Sequence, residues 1–281
     1  MPIAALAFHT PAQLRLLVRE SAHEATLASA QPYLRRVAQS QSARSYYRDA
    51  VDLHWSSHVE IASDPPMKHR RDDPATWLVT RLARELQATR HKALLISPYF
   101  VPGEDGTAGM AAMVQRGATV GVITNSLAAN DVAAVHGGYM HYRAPLLRSG
   151  VHLYELKAHG HADGAGLFGS SGASLHTKAF VLDDRRGFVG SFNLDPRSAY
   201  LNTEMGVLFD DPHLAAQLRS EYLRLADPAQ SYWVTLDADG HVRWLDRAAQ
   251  PPVLLDREPD TSVWLRASAR AISWLPLESQ L

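Results

Sequence analysis

Residues 174–183 read Ser-Leu-His-Thr-Lys-Ala-Phe-Val-Leu-Asp, and residues 190–198 read Gly-Ser-Phe-Asn-Leu-Asp-Pro-Arg-Ser. Ser174–Leu182 has the length and apolar run of a strand, and Phe188–Asn193 that of a second. Asp183-Asp184-Arg185-Arg186-Gly187 between them is turn chemistry, so the pair predicts a hairpin. Side chains two apart on a strand share a face. His176 and Lys178 therefore project together, and on the returning strand so do Ser191 and Asn193. In register, one surface presents an imidazole, an ammonium, a hydroxyl and a carboxamide. That set suits a phosphodiester. Lysine offers a point positive charge to phosphoryl oxygens, and serine and asparagine offer neutral donors. Histidine titrates near neutral pH and can act as nucleophile or general acid. With cationic side chains meeting the phosphate charge, neither metal nor organic cofactor is implied.

Upstream of the hairpin, strand and helix alternate. Ala93–Ile96, Ala118–Thr124 and Val151–Leu156 read as strands, with helices over Gly106–Arg116 and Asp131–Arg148 between them. This spacing predicts an α/β domain whose sheet is mixed but mostly parallel and is flanked by helices. Downstream, Thr203–Phe209 reads as a strand and Leu214–Leu225 as a helix. Tyr232–Leu236 and Val242–Leu245 form a terminal hairpin around Asp239-Gly240. Residues 1–74 read as a helical lead-in or linker, with a helix over Gln13–Ala28, a polar break at Ser40–Ser45 and strong punctuation at Asp64-Pro65-Pro66. Asp73-Pro74 is a helix start with cap and first-turn proline. Three segments follow: 1–74, a catalytic domain over 75–225, and a hairpin with an amphipathic tail over 226–281.

Composition narrows the classes. The chain has 281 residues, 46% hydrophobic and 20% charged, enough for a sizeable core. A net charge of −1 argues against a broad nucleic-acid-binding field, so no nucleic-acid partner is expected. With no cysteine there is no disulfide framework and no thiol nucleophile. No run reaches the ~18 apolar residues of a membrane span, and the apolar start Met1–Phe8 lacks the basic flank of a signal peptide.

His176, Lys178 and Asp183, with Gly190, Ser191 and Asn193, resemble the HKD signature of the phospholipase D superfamily. The resemblance extends to Ile96-Ser97-Pro98-Tyr99-Phe100-Val101-Pro102, to 124–132 and to 191–198, which look like the second half of bacterial cardiolipin synthases, the C type above all. It covers about residues 75–281. It implies phosphatidyl transfer, or hydrolysis with water as acceptor, through a phosphohistidine intermediate formed between two HKD halves. By this resemblance His176, Lys178 and Asp183 are the catalytic motif, with His176 as acid/base in two-motif members. Lys178, Ser191 and Asn193 bind the phosphate. It further implies a phospholipid substrate, a membrane surface, and a peripheral place on the cytoplasmic face of the bacterial inner membrane. No second His-x-Lys motif with its downstream partners occurs in residues 1–170. A second HKD half must come from an upstream segment or another subunit, and the loose helical pattern of residues 1–60 favours the upstream segment. A homodimeric single-motif phosphodiesterase or nuclease, and an inactive half-site fragment, remain open as alternatives.

Other residues carry weaker signals. Glu204 sits on a strand where a carboxylate could support the far nitrogen of the imidazole. Asp183 lies at the turn, which favours a role in holding the hairpin. Tyr99, Asn130, Asp131 and His136 follow strand ends, where pockets form in open α/β sheets, although Asp131 also reads as a helix cap and Tyr99 as core. His159-Gly160-His161 with Asp163 lacks further ligands for a metal, and Gly166–Gly172 does not follow the dinucleotide-binding order. Trp264, Leu265, Ile272, Trp274 and Leu277, with Arg266 and Arg270, outline a short amphipathic helix that could dock on the domain or lie at a membrane interface.

Overall fold

A computed structural model of the chain describes residues 11–27, 30–39, 54–66, 68, 73–158 and 175–274. The apolar start, the Ser40–Ser45 break, the His159–Asp163 group and the Gly166–Gly172 run lie outside them. The chain divides into two units, 1–55 and 56–281. In the first, helices α1 (Pro11–Glu24) and α2 (Gln31–Gln39) are joined by a turn in which Thr26 Oγ1 donates to the His23 carbonyl at 2.6 Å.

The second unit opens with strand β1 (Val59–Ser63). A 3₁₀ turn at Pro74–Thr76 leads to helix α3 (Leu78–Gln87). Asp73 caps the turn, accepting from the Ala75 N–H at 3.1 Å, and the helix proper starts at Leu78. There follow β2 (Lys92–Ile96), α4 (Gly103–Gln115), β3 (Thr119–Asn125), α5 (Ala133–Arg148) and β4 (His152–Leu156). Next come β5 (Lys178–Leu182), β6 (Arg186–Gly190), α6 (Pro196–Tyr200), β7 (Met205–Asp210) and α7 (Pro212–Leu225). The chain closes with β8 (Ser231–Leu236), β9 (Val242–Asp246), β10 (Val253–Leu255) and α8 (Val263–Ser273).

Among the described residues ten strands join one sheet in the order β1-β7-β6-β5-β2-β3-β4-β8-β9-β10. The mixed α/β architecture flanked by helices is as expected, but the mostly parallel sheet is not. Only β2–β3 and β3–β4 run parallel, and every other neighbouring pair is antiparallel. Helices α4 and α5 supply the long crossovers that parallel neighbours need, whereas short turns join the β5–β6 and β8–β9 pairs and permit only antiparallel pairing. The expected segment boundaries also move. β1 pairs with β7 along its whole length, from Val59 opposite Phe209 to Ser63 opposite Met205, so it belongs to the main domain and not to a lead-in. β8 pairs with β4, so the C-terminal hairpin extends the same sheet.

Both faces of the central strands are covered. Along β2, Ala93 and Leu95 enter a core shared with Leu82 of α3, Met110 of α4 and Tyr139 of α5. Leu94 and Ile96 enter a second core under Tyr222 and Leu225 of α7. Two-sided burial is why these strands read as unbroken apolar runs. Gly121 of β3 is required by this packing, since a Cβ there would lie 2.2 Å from the Tyr222 hydroxyl.

Candidate functional site

Lys178 opens β5 and stands opposite Gly190, the last residue of β6. Pairing stops there, so Ser191 leaves β6 on the opposite face of the pleat from Lys178. The hairpin alone therefore does not lay the four polar groups on one surface, as the sequence had suggested, and the loops around it complete the arrangement.

His176 is exposed just ahead of β5. Its backbone neighbour is clamped by Asn125 at the end of β3. Asn125 Oδ1 accepts from the Leu175 N–H at 3.1 Å, and its Nδ2 donates to the Leu175 carbonyl at 3.4 Å. The Lys178 ammonium turns back and donates to the His176 carbonyl at 2.9 Å. Burial lowers the Lys178 pKa from its usual value, while the carboxylates of Glu204, Asp195 and Asp131 act in the opposite direction. A buried cation thus sits beside an exposed imidazole.

Behind them is a polar web. Glu204 accepts hydrogen bonds from the Ser191 hydroxyl, from Ser198 Oγ at 3.1 Å and from Asn202 Nδ2 at 3.2 Å. The sequence left this carboxylate open between support of the imidazole and a plain surface position, and in the structure it is buried with its oxygens serving these three donors. Ser191 Oγ also accepts from the Met205 N–H at 3.0 Å. Asp64 and Glu204 are joined twice, with the Asp64 N–H on the Glu204 carbonyl at 2.8 Å and the Glu204 N–H on the Asp64 side-chain Oδ2 at 3.0 Å. Fully buried Lys68 pairs with Asp64 at 2.9 Å and donates to the Ser198 carbonyl at 3.0 Å. Asp195 caps α6 by accepting from the Ser198 N–H at 2.7 Å, and burial raises its pKa. Asn193 is buried, and its side-chain oxygen has no hydrogen-bond partner among the described residues. Such a group costs about 1–3 kcal/mol while unmatched.

The loop after β2 is stapled to this web. Ser97 Oγ accepts from the Leu194 N–H at 3.0 Å, and the Val101 N–H meets the Leu194 carbonyl at 2.7 Å. The Tyr99 hydroxyl donates to Asp131 Oδ1 at 2.8 Å, and burial together with that carboxylate pushes its pKa up to about 12. Tyr99 and Asp131 therefore meet. Asp131 does not cap α5; the cap residue is Val132, whose N–H is taken by Asn130 Oδ1 at 3.0 Å.

Two residues lie away from this centre. Asp183 is at the far end of β5, about 17 Å along the strand from Lys178 at ~3.3 Å per residue. Its carboxylate accepts from the backbone N–H groups of Arg90, His91 and Lys92, the latter two at 2.8 and 3.0 Å. Burial would raise its pKa, but these bonds outweigh it and hold the group below its usual value. With φ of 53°, Asp183 also forms the left-handed turn that aspartate tolerates. A groove lined by Arg81, Glu85, Leu182, Arg186 and Asp210 lies at this turn end, and its charges are matched by Arg81–Glu60 and Arg186–Glu85 pairs.

His136 turns into the interior and does not join Tyr99 and Asp131. Its Nε2 lies 2.7 Å from Nη2 of Arg143, a group that can only donate. Arg143 pairs with Glu155 at 2.8 Å and Glu258 at 2.5 Å and stacks on Tyr139 and Trp244. Trp244 Nε1 donates to Glu155 at 2.8 Å. Burial raises the Glu155 pKa; at Glu258, Arg143 overcomes burial and lowers it.

Among the described residues, one group of side chains has metal-ligand spacing: Asp237, Asp239 and His241. It is a hairpin turn, with Asp237 accepting from the Asp239 and His241 N–H groups and pairing with Arg243 at 2.6 Å. Asn125, Ser198, Asp64 and Lys68 were not legible as site residues. Only Asp195-Pro196 carried a local signal, that of a helix start.

Residues 82–226 match the family described as "Cardiolipin synthase, PLD-like domain". Over 250 residues the chain is 38% identical to cardiolipin synthase C of Escherichia coli K12, which covers 88% of this chain and 53% of that protein. An uncharacterized protein of Helicobacter pylori is 33% identical over 219 residues, covering 76% of this chain and 42% of its own. The chain thus spans about half the length of these relatives or less. Among solved structures, phosphatidylserine synthase of Haemophilus influenzae Rd KW20 superposes with a TM-score of 0.50 at 16% identity, over 85% of this chain and 54% of that one, and so shares the fold.

Proposed function

The chain belongs to the cardiolipin synthase family of PLD-like domains, and from that premise we propose that it is one catalytic half of an enzyme that moves a phosphatidyl group between alcohols. The observation that carries this reading is the exposed imidazole of His176 beside the buried ammonium of Lys178, on a frame built by Glu204, Ser191 and Ser198. Lys178 and the Nδ2 donor of Asn193 hold the phosphate, with Ser191 and Glu204 fixing the loop that presents Asn193. Asp183 holds the hairpin.

In the proposed sequence one imidazole nitrogen attacks phosphorus and the bond to the leaving alcohol breaks, with its oxygen taking a proton from a second imidazole. The acceptor alcohol then gives its proton to that second imidazole, attacks phosphorus and releases the first. One histidine cannot occupy both in-line positions at once. The second HKD half comes from an upstream segment or another subunit, and His176 is the acid/base of the pair. The substrate is a phospholipid, met peripherally at a membrane.

The test is turnover of phosphatidylglycerol in mixed micelles by the chain alone and with a chain carrying a first His-x-Lys motif. Activity that depends on the second motif is expected, unchanged after exhaustive chelation, with an acid-labile phosphoenzyme on rapid quench. Full turnover by a chain shown monomeric by light scattering overturns the half-site reading. Cleavage of a DNA duplex with no turnover of any phospholipid overturns the lipid reading.

A further inference from the structure

The buried cluster around Arg143 has no part in the proposed chemistry, yet it has a clear mechanical output. Glu258 begins the loop that leads into α8, and the interior holds it through Arg143. The Thr261 hydroxyl donates to the Glu258 carbonyl at 2.6 Å, and the Tyr232 hydroxyl donates to Asp260 at 2.7 Å. Ser262 then caps α8, accepting from the Leu265 N–H at 3.1 Å. At its other end α8 lies against α5 where Gly137 leaves room. A Cβ on Gly137 would be 3.2 Å from the Ala269 carbonyl, and His141 Nε2 lies 2.8 Å from the Ser273 carbonyl. The helix is therefore fastened at both ends with Ala269 fully buried beneath it.

Its outer face is unusual. Trp264 and Trp274 are 84% and 78% exposed, one at each end, and Val263 is 70% exposed. Helical spacing puts Trp264, Ala267, Ala271 and Trp274 on one side, with Arg270 along its border. The helix contains two arginines and no acid. Large indoles flanking a flat strip of small residues, bordered by a cation, match the headgroup level of an anionic bilayer. A protein partner fits poorly. The strip is about 16 Å long and about 10 Å wide, far short of the ~800 Å² per partner of a stable interface.

The placement is also productive. Gly137, where the Trp274 end of α8 packs, is about 6 Å along α5 from its start at ~1.5 Å per residue. That start follows the Asn130–Asp131 loop beside Tyr99. We propose that the outer face of α8 docks this domain on an anionic lipid surface, with Trp264 and Trp274 among the headgroups and Arg270 against lipid phosphates, so that the loop at the site is brought to the lipid. This rests on the reading that the substrate is a bilayer phospholipid, but its test reads binding and not turnover, so either can fail alone.

The experiment is co-sedimentation of the full chain with vesicles of phosphatidylglycerol and phosphatidylcholine, against phosphatidylcholine alone. Trp264→Ser/Trp274→Ser should keep the thermal midpoint and lose about tenfold or more in binding. Arg270→Gln should lose about fivefold, only on the anionic vesicles and only at low salt. Brominated lipids should quench the wild-type fluorescence and not that of the double variant. A folded double variant that binds as wild type does, with quenching unchanged, overturns the proposal. So does a double variant whose mass by light scattering falls while its vesicle binding stays the same, which would assign the strip to a second copy of the chain.

Discussion

Two buried polar clusters sit on this one sheet, and they differ in what they leave open. Around Arg143, Glu155 and Glu258 the charges are paired with one another, stacked on Tyr139 and Trp244, and sealed from solvent. Around Lys178, Glu204 and Asp195 the cluster reaches solvent at His176, whose carbonyl takes the Lys178 ammonium and whose side chain is exposed, and the Asn193 amide oxygen lacks a partner among the described residues. The first cluster contains a histidine, two carboxylates and an arginine, chemically richer than many active sites, yet it is closed to any ligand by burial. Burial and charge therefore do not by themselves mark a site, and neither does an unmatched atom, since among the described residues His136 Nδ1 and the Tyr139 hydroxyl lack hydrogen-bond partners in the sealed cluster too; what sets the second cluster apart is that it reaches solvent at the exposed His176.

Breaking each cluster should separate rate from stability. His176→Ala, in the complete active assembly, should lower turnover by about 10²–10⁴-fold or more while the melting temperature stays put, because the side chain is exposed. Near-normal turnover would remove His176 from the chemistry. Arg143→Met should do the reverse. It leaves Glu155 and Glu258 buried without their cation, which should cost about 3–5 kcal/mol in urea unfolding. The rate per folded molecule on micellar substrate should change little, and a large selective loss of rate would merge the two clusters into one site.

Asp183→Ala tests a third position, the turn end of the hairpin. Losing the acceptor for three backbone N–H groups should cost about 1–3 kcal/mol with modest effect on rate. The Asp183 pKa is lowered in the fold, so its contribution is complete above the unfolded value of about 3.9 and disappears as pH falls through the lower folded value. The variant should accordingly lose part of the acid limb of the stability curve. The smallest effect expected is on the alkaline side of the rate profile. Burial lowers the Lys178 pKa from 10.5, and the charged form is the one that binds phosphate. kcat/KM should therefore begin to fall at lower pH than an ordinary lysine would dictate, and Lys178→Arg should move that limb out of range.

Much of this was readable in advance, and the exceptions have physical reasons. The runs at 93–96, 118–124 and 151–156 were legible because both faces of those strands are buried. β1 and β10 were missed. Val59–Ser63 and Val253–Leu255 are edge strands, largely exposed, and their signals are too short to stand out: Val-Glu-Ile is a bare alternation, and Val-Leu-Leu is a three-residue run after two prolines. The parallel bias came from reading βα alternation through three strands and extending it to the rest. His136 was drawn to the site by its position after a strand, but a helix has an inward side, and Arg143 one helical face away claims it. Asp64 and Lys68 carry no motif. They pair with each other four residues apart, and their bonds to Glu204 and Ser198 reach more than 100 positions along the chain.

The sequence by itself offered His176, Lys178, Ser191 and Asn193 as candidates for a phosphate, because local pattern ties them to strands and turns. It also determined that α8 would be amphipathic. Only the tertiary structure decided which of those groups share a surface, what Glu204 holds, that Asp183 stands at the wrong end of its strand for chemistry, and that both tryptophans of α8 face outward. Spacing along a strand sets which face a side chain takes, but neighbours from distant strands and loops set what it meets there. Those contacts come from packing the whole sheet and leave no mark in any single stretch of chain.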